Sequence, residues 1–411
     1  MTMRLGNSDF IPLIFAADIN VYSLSRAFHE QYGIVSAGYG IASAGPINHT
    51  SIIDYQSVPR ADQPDVLPGL INDFANTYAD QQILVFGCGD NYVRRISSAK
   101  GSYPDNVVVP YMDFPDLYRL ANKQSFYAIC DQYGIVHPAT YIYREPDGGL
   151  LDLAFEAPYI VKPANSVSWW ENPFDEQRKV HLVEGFEELK ALLSTIYAAG
   201  YPDEMIIQEY IPGDDYNLIV LTQYFDQHGV LKMSCSGRVL LEEHTAHGIG
   251  NSAVIISEDH LEIADQLGSL LANEGFRGFA CFDIKYDGRD GKYKVLEVNT
   301  RQGRGHYYVT GSGLNVARFV TEDLIYNRPL LPELKAIEPY LWYVTPLSVA
   351  RQCAIDAGLK DQVDEVLRSG RSGNPLDYRA DRSFPRSLWL AKYTRQQGER
   401  YQEYKQGGAL V

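Results

Sequence analysis

The stretch that most constrains this chain is Phe279 to Gly305, FACFDIKYDGRDGKYKVLEVNTRQGRG. Two runs with strand-like alternation flank the turn residues Tyr286-Asp287-Gly288-Arg289-Asp290-Gly291. That pattern predicts a β-hairpin with a loop of several residues. Side chains alternate faces along a strand. Cys281, Asp283 and Lys285 are thus expected on one face of the first strand, with Phe282 and Ile284 on the other. On the second strand Val295, Glu297 and Asn299 are expected to share a face, opposite Leu296 and Val298. Closed symmetrically about its loop, the hairpin sets Asp283 close to opposite Glu297. Facing carboxylates repel and weaken a sheet unless something cationic lies between them. Asn299 adds a neutral oxygen to the same face. Asp, Glu and Asn oxygens without Cys or His suit a hard cation, most simply Mg²⁺. The ordinary alternative is an exposed face whose acids are solvated or paired with Lys285 and Lys294.

A chain of 411 residues exceeds one ordinary core, so two or three domains are expected. A net charge of −16 argues against a general nucleic-acid binder, because phosphate contact needs a basic surface. It leaves room for a local basic pocket around a nucleotide. The cysteines, Cys88, Cys130, Cys235, Cys281 and Cys353, are scattered and form no CxxC. Neither a zinc knuckle nor a disulfide framework is indicated, and a reducing cytoplasm fits. The apolar run Ile11 to Ala17 is short and leads into Asp18 and Asn20. It reads as a buried strand and not as a signal peptide or membrane span.

From that strand the chain turns into a helix over Val21 to Tyr32. Ile34 to Tyr39, Ile83 to Gly87 and Val107 to Pro110 read as further strands. Strands alternating with helices predict a small doubly wound sheet over roughly the first 115 residues. Asp18, Asn20, Cys88, Asp90 and Asn91 lie at the carboxyl ends of its strands, where such sheets bind ligands; singly, such residues are turn formers. A helix over Leu117 to Gly134 carries Lys123. A short strand, Pro158 to Pro163, delivers Lys162, and Ala164 to Asp175 reads as a mobile loop with two tryptophans. Further strands are expected at Met205 to Ile211, Leu218 to Tyr224 and Val230 to Leu241, the last carrying Arg238. His244 and His247 lack metal-pair spacing and read as loop polars. The segment after Trp342 has helical spacing and many charges, and shows no catalytic motif.

The order of these features resembles that of the ATP-grasp ligases, from about Ile11 to about Tyr326. The pieces are a doubly wound leading domain, Lys123 on the connecting helix and Lys162 in VKP. QEYIPGDD, FDIK and LEVNTRQGR follow in order. FACFDIK and EVNTRQGR followed by Tyr307-Tyr308 look most like the carboxylate–amine ligases near D-aspartate ligase. The resemblance implies an α/β chain, α+β in its ATP-binding part. A doubly wound domain (1–116) would precede a first lobe with its connecting helix (117–204). A second lobe with the metal hairpin (205–335) and a helical extension (336–411) would follow.

It also implies site roles. Lys162 and Lys123 would place positive charge on the ATP phosphates. Gln208 to Ile211 would form the hinge, with backbone groups of Glu209 and Ile211 on the adenine edge and Tyr210 and Ile211 near its faces. Asp215, or Asp214 beside it, would accept from ribose hydroxyls. Asp283, Glu297 and Asn299 match the family's Mg²⁺ ligands, two ions being expected, with Mn²⁺ able to substitute. Two departures stand out. Ala164 to Phe174 lacks the glycines of many relatives, leaving Ser166 and Ser168 to donate to the γ-phosphate. Cys281 occupies the place of an arginine found in the D-alanine ligase branch. Arg301 and Arg304 are then the expected partners of the acyl phosphate, with Arg238 a third candidate.

The implied reaction activates a carboxylate with ATP and joins it to an amine, acting on small molecules in the cytoplasm. Aspartate or another amino acid could go onto an amine of a cell-wall precursor. A ligase making free dipeptides is the alternative on the same fold, and a non-catalytic ATP-binding protein is the alternative of another class. The charged C-terminal segment would cap the acceptor site or support a homodimer.

Overall fold

The computed structural model describes residues 8–43, 45–145, 153–164, 166–243, 248, 250–259, 261–331, 333–335, 338–353 and 357–407. His244 and His247 lie outside the described residues, as does the side chain of Ser166.

Strands β1 (Phe10–Phe15), β2 (Ser36–Gly40), β3 (Ile53–Ser57), β4 (Gln82–Gly87) and β5 (Val107–Val108) form a parallel sheet in the order β3-β2-β1-β4-β5. The apolar run of β1 is buried along its whole length because both faces are covered. Phe10 and Ile14 pack with Leu24 and Phe28 of the helix Ile19–Tyr32. Ile11, Leu13 and Phe15 pack with Leu67, Ile71 and Phe74 of the helix Leu67–Thr77. The strand order reverses between β1 and β4, and a crevice opens beyond their carboxyl ends.

The helix expected over Leu117 to Gly134 is two helices, Phe114–Ala121 and Lys123–Tyr133. Asn122 between them is extended, and its side chain accepts from Ser125 N–H at 3.1 Å, capping the second helix. Lys123 is therefore the first residue of a helix and not a mid-helix side chain.

β6 (Thr140–Tyr143), β7 (Tyr159–Pro163), β8 (His181–Val183) and β9 (Met205–Glu209) make an antiparallel sheet in the order β6-β9-β7-β8. β9 pairs with both β6 and β7. The first lobe's sheet thus runs through Glu209, past the boundary expected at 204. The presumed loop after Lys162 contains a helix, Ser166–Glu171. Trp169 explains it: fully buried, it packs with Val161, Val183, Leu189 and Tyr201.

β10 (Leu218–Phe225), β11 (Leu231–Glu242), β12 (Ser252–Glu258), β13 (Gly278–Asp287) and β14 (Lys292–Asn299) form most of the third sheet. β15 (Leu334–Lys335) pairs with β11, and β16 (Leu341–Tyr343) and β17 (Ser372–Gly373) extend the far edge. The C-terminal segment is therefore helical over much of its length but also contributes strands. A buried ion pair docks it on the first domain. Asp381 meets Arg386 at 2.9 Å and accepts from Tyr22 Oη at 2.8 Å, Thr50 Oγ1 at 2.7 Å and Ser51 N–H at 2.6 Å. No helix among the described residues is long and apolar enough to cross a membrane.

Candidate active site

The hairpin closes in the expected register: Asp283 stands opposite Glu297, and Cys281 opposite Asn299. One residue later the register shifts, with Ile284 opposite Val295, so Leu296 is an extra residue in β14. The bulge turns Val295 into the core beside Ile284 and Val298. Val295 therefore does not share the face of Glu297, as plain alternation had it. Nor do the hairpin lysines neutralise the acids. Lys294 binds Glu209 at 2.8 Å and Asp287 at 2.9 Å. Lys285 lies 5.6 Å from the centre of the Tyr210 ring.

The cations come instead from the other elements. Lys123 Nζ reaches Glu297 Oε2 at 2.6 Å. Burial opposes the Lys123 charge, but the field and hydrogen bond of Glu297 outweigh it and hold the ammonium above the usual lysine range. Glu297 is likewise penalised by burial, yet Lys123 and Lys162 keep it well below the usual carboxylate range. Burial and then the charge of Lys123 bring the Lys162 ammonium down to about 7. Burial and then the facing Glu297 push Asp283 up to about 8. A neutral acid beside a carboxylate is how such a pair rests without a cation.

Asn299 Nδ2 donates to Asp283 Oδ2 at 3.2 Å, and Asn299 Oδ1 accepts from Arg301 Nη2 at 3.3 Å. Turning the amide over exchanges these roles and presents its oxygen to the acids. Arg301 also pairs with Asp90, after β4, at 2.6 Å. Arg304 Nη1 donates to the Ser252 carbonyl at 3.2 Å. Both arginines leave the metal strand in a loop that folds back over Cys281: a Cβ on Gly303 would lie 2.6 Å from Cys281 Sγ. Gly303 thus permits a crossing that leaves no space at Cys281 for an arginine. Arg238 stands apart. It shares a sheet face with Ile219 and Ile284, opposite to Asp283, and pairs with Glu258 while donating to Tyr216 O at 2.7 Å.

The hinge strand is tied on both sides. Gln208 is buried and donates to Tyr127 Oη at 2.9 Å and Thr140 Oγ1 at 2.8 Å. Tyr127 in turn donates to the carbonyl of the bulged Leu296. The Glu209 carboxylate accepts from Lys294 at 2.8 Å and Arg289 at 2.9 Å, and its N–H donates to Ala139 O at 2.9 Å. Tyr210 N–H donates to Pro158 O at 3.2 Å, and Ile211 is buried. Asp215 accepts from Glu242 N–H at 2.7 Å. Ser168 turns to Asp203 within its own lobe.

Two charged residues near the trio escaped the sequence reading. Lys179, before β8, acts electrostatically on both Lys162 and Glu297, and a Cβ on Gly250 would lie 3.2 Å from its Nζ. Glu242, at the end of β11, acts on Asp283 and Lys285. No local pattern marks Lys179, whereas the strand-end position of Glu242 was a readable signal. A cleft of about 810 Å³ borders this region, lined by Lys123, Glu297, Asn299, Asp90 and Arg94 together with Ile206 of the first lobe.

No protein-family model matches the chain. It is 36% identical over 404 residues to D-aspartate ligase of Enterococcus faecium (strain Aus0004), covering 96% of each chain. The chain belongs to the D-aspartate ligase family. Its fold is similar to that of an L-amino acid ligase from Bacillus licheniformis, with a TM-score of 0.55, 16% identity, and coverage of 78% of this chain and 75% of that one. It is also similar to the ADP complex of purK, N5-carboxyaminoimidazole ribonucleotide synthetase, with a TM-score of 0.57, 13% identity and coverage of 83% and 82%. The fold is ATP-grasp, and the reaction class is ATP-dependent carboxylate–amine ligation.

The donor set fits Mg²⁺, the cation that the sequence resemblance implied. Among the described residues no group of three or more His, Cys, Asp or Glu side chains forms a metal site. Two carboxylates with one amide, leaving other positions for phosphate oxygens and water, is how Mg²⁺ is held where a nucleotide completes its shell. Burial first and the facing Glu297 second disfavour a negative charge on Asp283, and a bound cation would reverse that balance.

Proposed function

We propose that this ligase activates the carboxylate of a small amino acid, aspartate before others, and joins it to an amine of a cell-wall precursor through an acyl phosphate. The observation that carries the reading is the hairpin end. Asp283, Glu297 and Asn299 converge there, Lys123 and Lys162 face them, and Arg301 leaves the same strand in contact with Asn299. The name of the E. faecium relative supports the choice of aspartate. Bound Mg–ATP supplies the transferable phosphoryl group and offsets its charge, two ions being proposed, with Mn²⁺ able to replace them.

The residues do the rest by position and charge. Asp283 and Glu297 hold the cation, with Asn299 beside them. Lys162 and Lys123 bind the α- and β-phosphates. Gln208 to Ile211 seat the adenine at the hinge, and Asp215 takes the ribose. Arg301 and Arg304 orient the acid, whose carboxylate oxygen attacks the γ-phosphorus as the bond to ADP breaks. Attack of the amine nitrogen on the acyl carbon then expels inorganic phosphate, and the nitrogen loses its proton. Arg238 is left out of this set, and Ser168 faces its own lobe. Five buried free cysteines suit a cytoplasmic protein. The exposed Phe384 and Leu388 suit contact between two copies, which sedimentation would test.

The experiment is ADP release with D-aspartate, L-aspartate and D-alanine in turn, with hydroxylamine present to trap the activated acid. Acid-dependent hydroxamate is the expected product. ATP binding without ADP release for any acid, with or without amine, would favour a non-catalytic nucleotide binder.

A further inference from the structure

The helix Lys123–Tyr133 and strand β14 meet at two successive strand residues. Lys123 opens the helix, and its ammonium reaches the Glu297 carboxylate at 2.6 Å. Tyr127 lies four residues on, so it shares the helix face of Lys123. Its hydroxyl reaches the carbonyl of Leu296 at 2.5 Å. Leu296 is the extra residue of the bulge and has no partner residue across the hairpin. One face of one helix thus grips adjacent residues of β14, Glu297 by its side chain and Leu296 by its backbone.

The phenol has a second partner on the hinge strand. A carbonyl only accepts, so the hydroxyl hydrogen goes to Leu296, and the phenol oxygen accepts from Gln208 Nε2 at 2.9 Å. The chain of bonds runs in one direction, from the Gln208 amide through the Tyr127 hydroxyl to the Leu296 carbonyl. Tyr127 and Gln208 are both buried. The ring itself is fixed by stacking on His137, with centroids 4.5 Å apart and 12° between the planes. Beside His137, the Val136 carbonyl accepts from Val295 N–H at 2.9 Å. The bulge is therefore held at Leu296 by the helix and at Val295 by the segment leading into β6.

The two ends of the chain are not equally secured. Gln208 also donates to Thr140 Oγ1 at 2.8 Å, and it stands opposite Thr140 in β6 and Ile160 in β7. Leu296 lacks such a cross-strand partner. Removing the hydroxyl releases the bulge more than the hinge, and the residue next to the bulge is Glu297.

We propose that Tyr127 is a positioning residue for the metal end of the site. By fixing the bulge it sets where Glu297 meets Lys123 and a divalent cation. Through Gln208 it joins that setting to the adenine seat, so a nucleotide at the hinge steadies the strand that carries Glu297. Such coupling acts in both directions, and bound cation steadies the hinge. The inference rests on the reading above of Asp283, Glu297 and Asn299 as cation ligands and of Gln208 to Ile211 as the adenine seat.

The test is calorimetric titration of ADP into the parent and Tyr127→Phe, in EDTA and in saturating Mg²⁺, beside urea unfolding of both. Tyr127→Phe keeps the ring on His137 and loses only the hydroxyl. The parent is expected to bind ADP at least tenfold more tightly with Mg²⁺ than in EDTA. Tyr127→Phe is expected to match the parent within threefold in EDTA and to bind at least fivefold more weakly than the parent with Mg²⁺. Partial unfolding of the variant enters the stoichiometry and not the ratio of its two Kd values, so the comparison holds even for a less stable protein. Equal weakening in EDTA and in Mg²⁺ gives Tyr127 a packing role only and refutes the inference. A parent whose ADP affinity is the same with and without Mg²⁺ refutes the cation reading and this inference with it. A parent that gains from Mg²⁺ while Tyr127→Phe gains by the same factor refutes this inference alone.

Discussion

Replacing Asp283 by asparagine separates what this site costs the fold from what it does for the reaction. Asp283 faces Glu297 across the hairpin and is pushed up to about 8, first by burial and then by that neighbour. Between the unfolded value of 3.8 and about 8, the folded protein thus holds a proton that the unfolded chain has released. Stability falls with rising pH wherever the folded state binds more protons, by at most about 1.4 kcal/mol per pH unit for one group. From pH 6 to pH 8 the ceiling is about 2.7 kcal/mol, and sharing of the proton with Glu297 reduces it to about 1–2 kcal/mol. Asp283→Asn removes this term. Without divalent cations the variant is expected to be at least as stable as the parent at pH 7, by a margin that widens by about 1–2 kcal/mol from pH 6 to pH 8. Added Mg²⁺ with ADP should stabilise the parent and leave the variant nearly unmoved. Turnover should fall by about 10²–10³-fold, the scale seen on losing one preorganised electrostatic contact to a transition state. Urea unfolding in EDTA at pH 6, 7 and 8, beside ADP release, measures both. Parallel pH dependence in parent and variant would falsify the repulsion argument, and turnover above a tenth of the parent's would remove Asp283 from the metal site.

Lys162, lowered to about 7 by burial and Lys123, should be recharged when phosphates arrive. ATP affinity should therefore be flat below pH 7 and weaken about tenfold per pH unit above it, until the bound-state pKa is reached; Lys162→Met should abolish the slope in nucleotide titrations. Asp381→Ala leaves Arg386 buried without its partner and is expected to cost about 3–5 kcal/mol in denaturant unfolding. Arg301→Met should lower turnover by at least about 10²-fold. Arg238→Met, on the far sheet face, should keep turnover within about threefold, and steady-state kinetics on the pair would expose any error in which arginines serve the site.

Much of this protein was legible in local pattern. Two-residue alternation and a turn-rich loop were enough to set Asp283 against Glu297, since a strand's faces are a property of consecutive residues. The continuous apolar run of β1 announced a strand covered on both sides. The order of lysines, hinge and acidic strand pointed to the nucleotide chemistry.

Other features belong to the tertiary structure alone. One extra residue at Leu296 leaves the composition of the hairpin unchanged yet sends Val295 into the core, because a bulge is a mismatch between two strands and not a property of either. Asn122 breaks a helix that spacing alone would continue, and so aims Lys123 at Glu297. Arg238 was a third candidate behind Arg301 and Arg304 in sequence; its pairing opposite Ile219 puts it on the other sheet face. Lys179 reaches the site from a segment with no motif, because proximity between distant elements is created by packing. What the sequence by itself determined was the chemistry of each strand and the order of the parts. Which arginines, lysines and helices share one space was decided only when three sheets and a C-terminal strap were packed together, since contact across such distances leaves no local period to read.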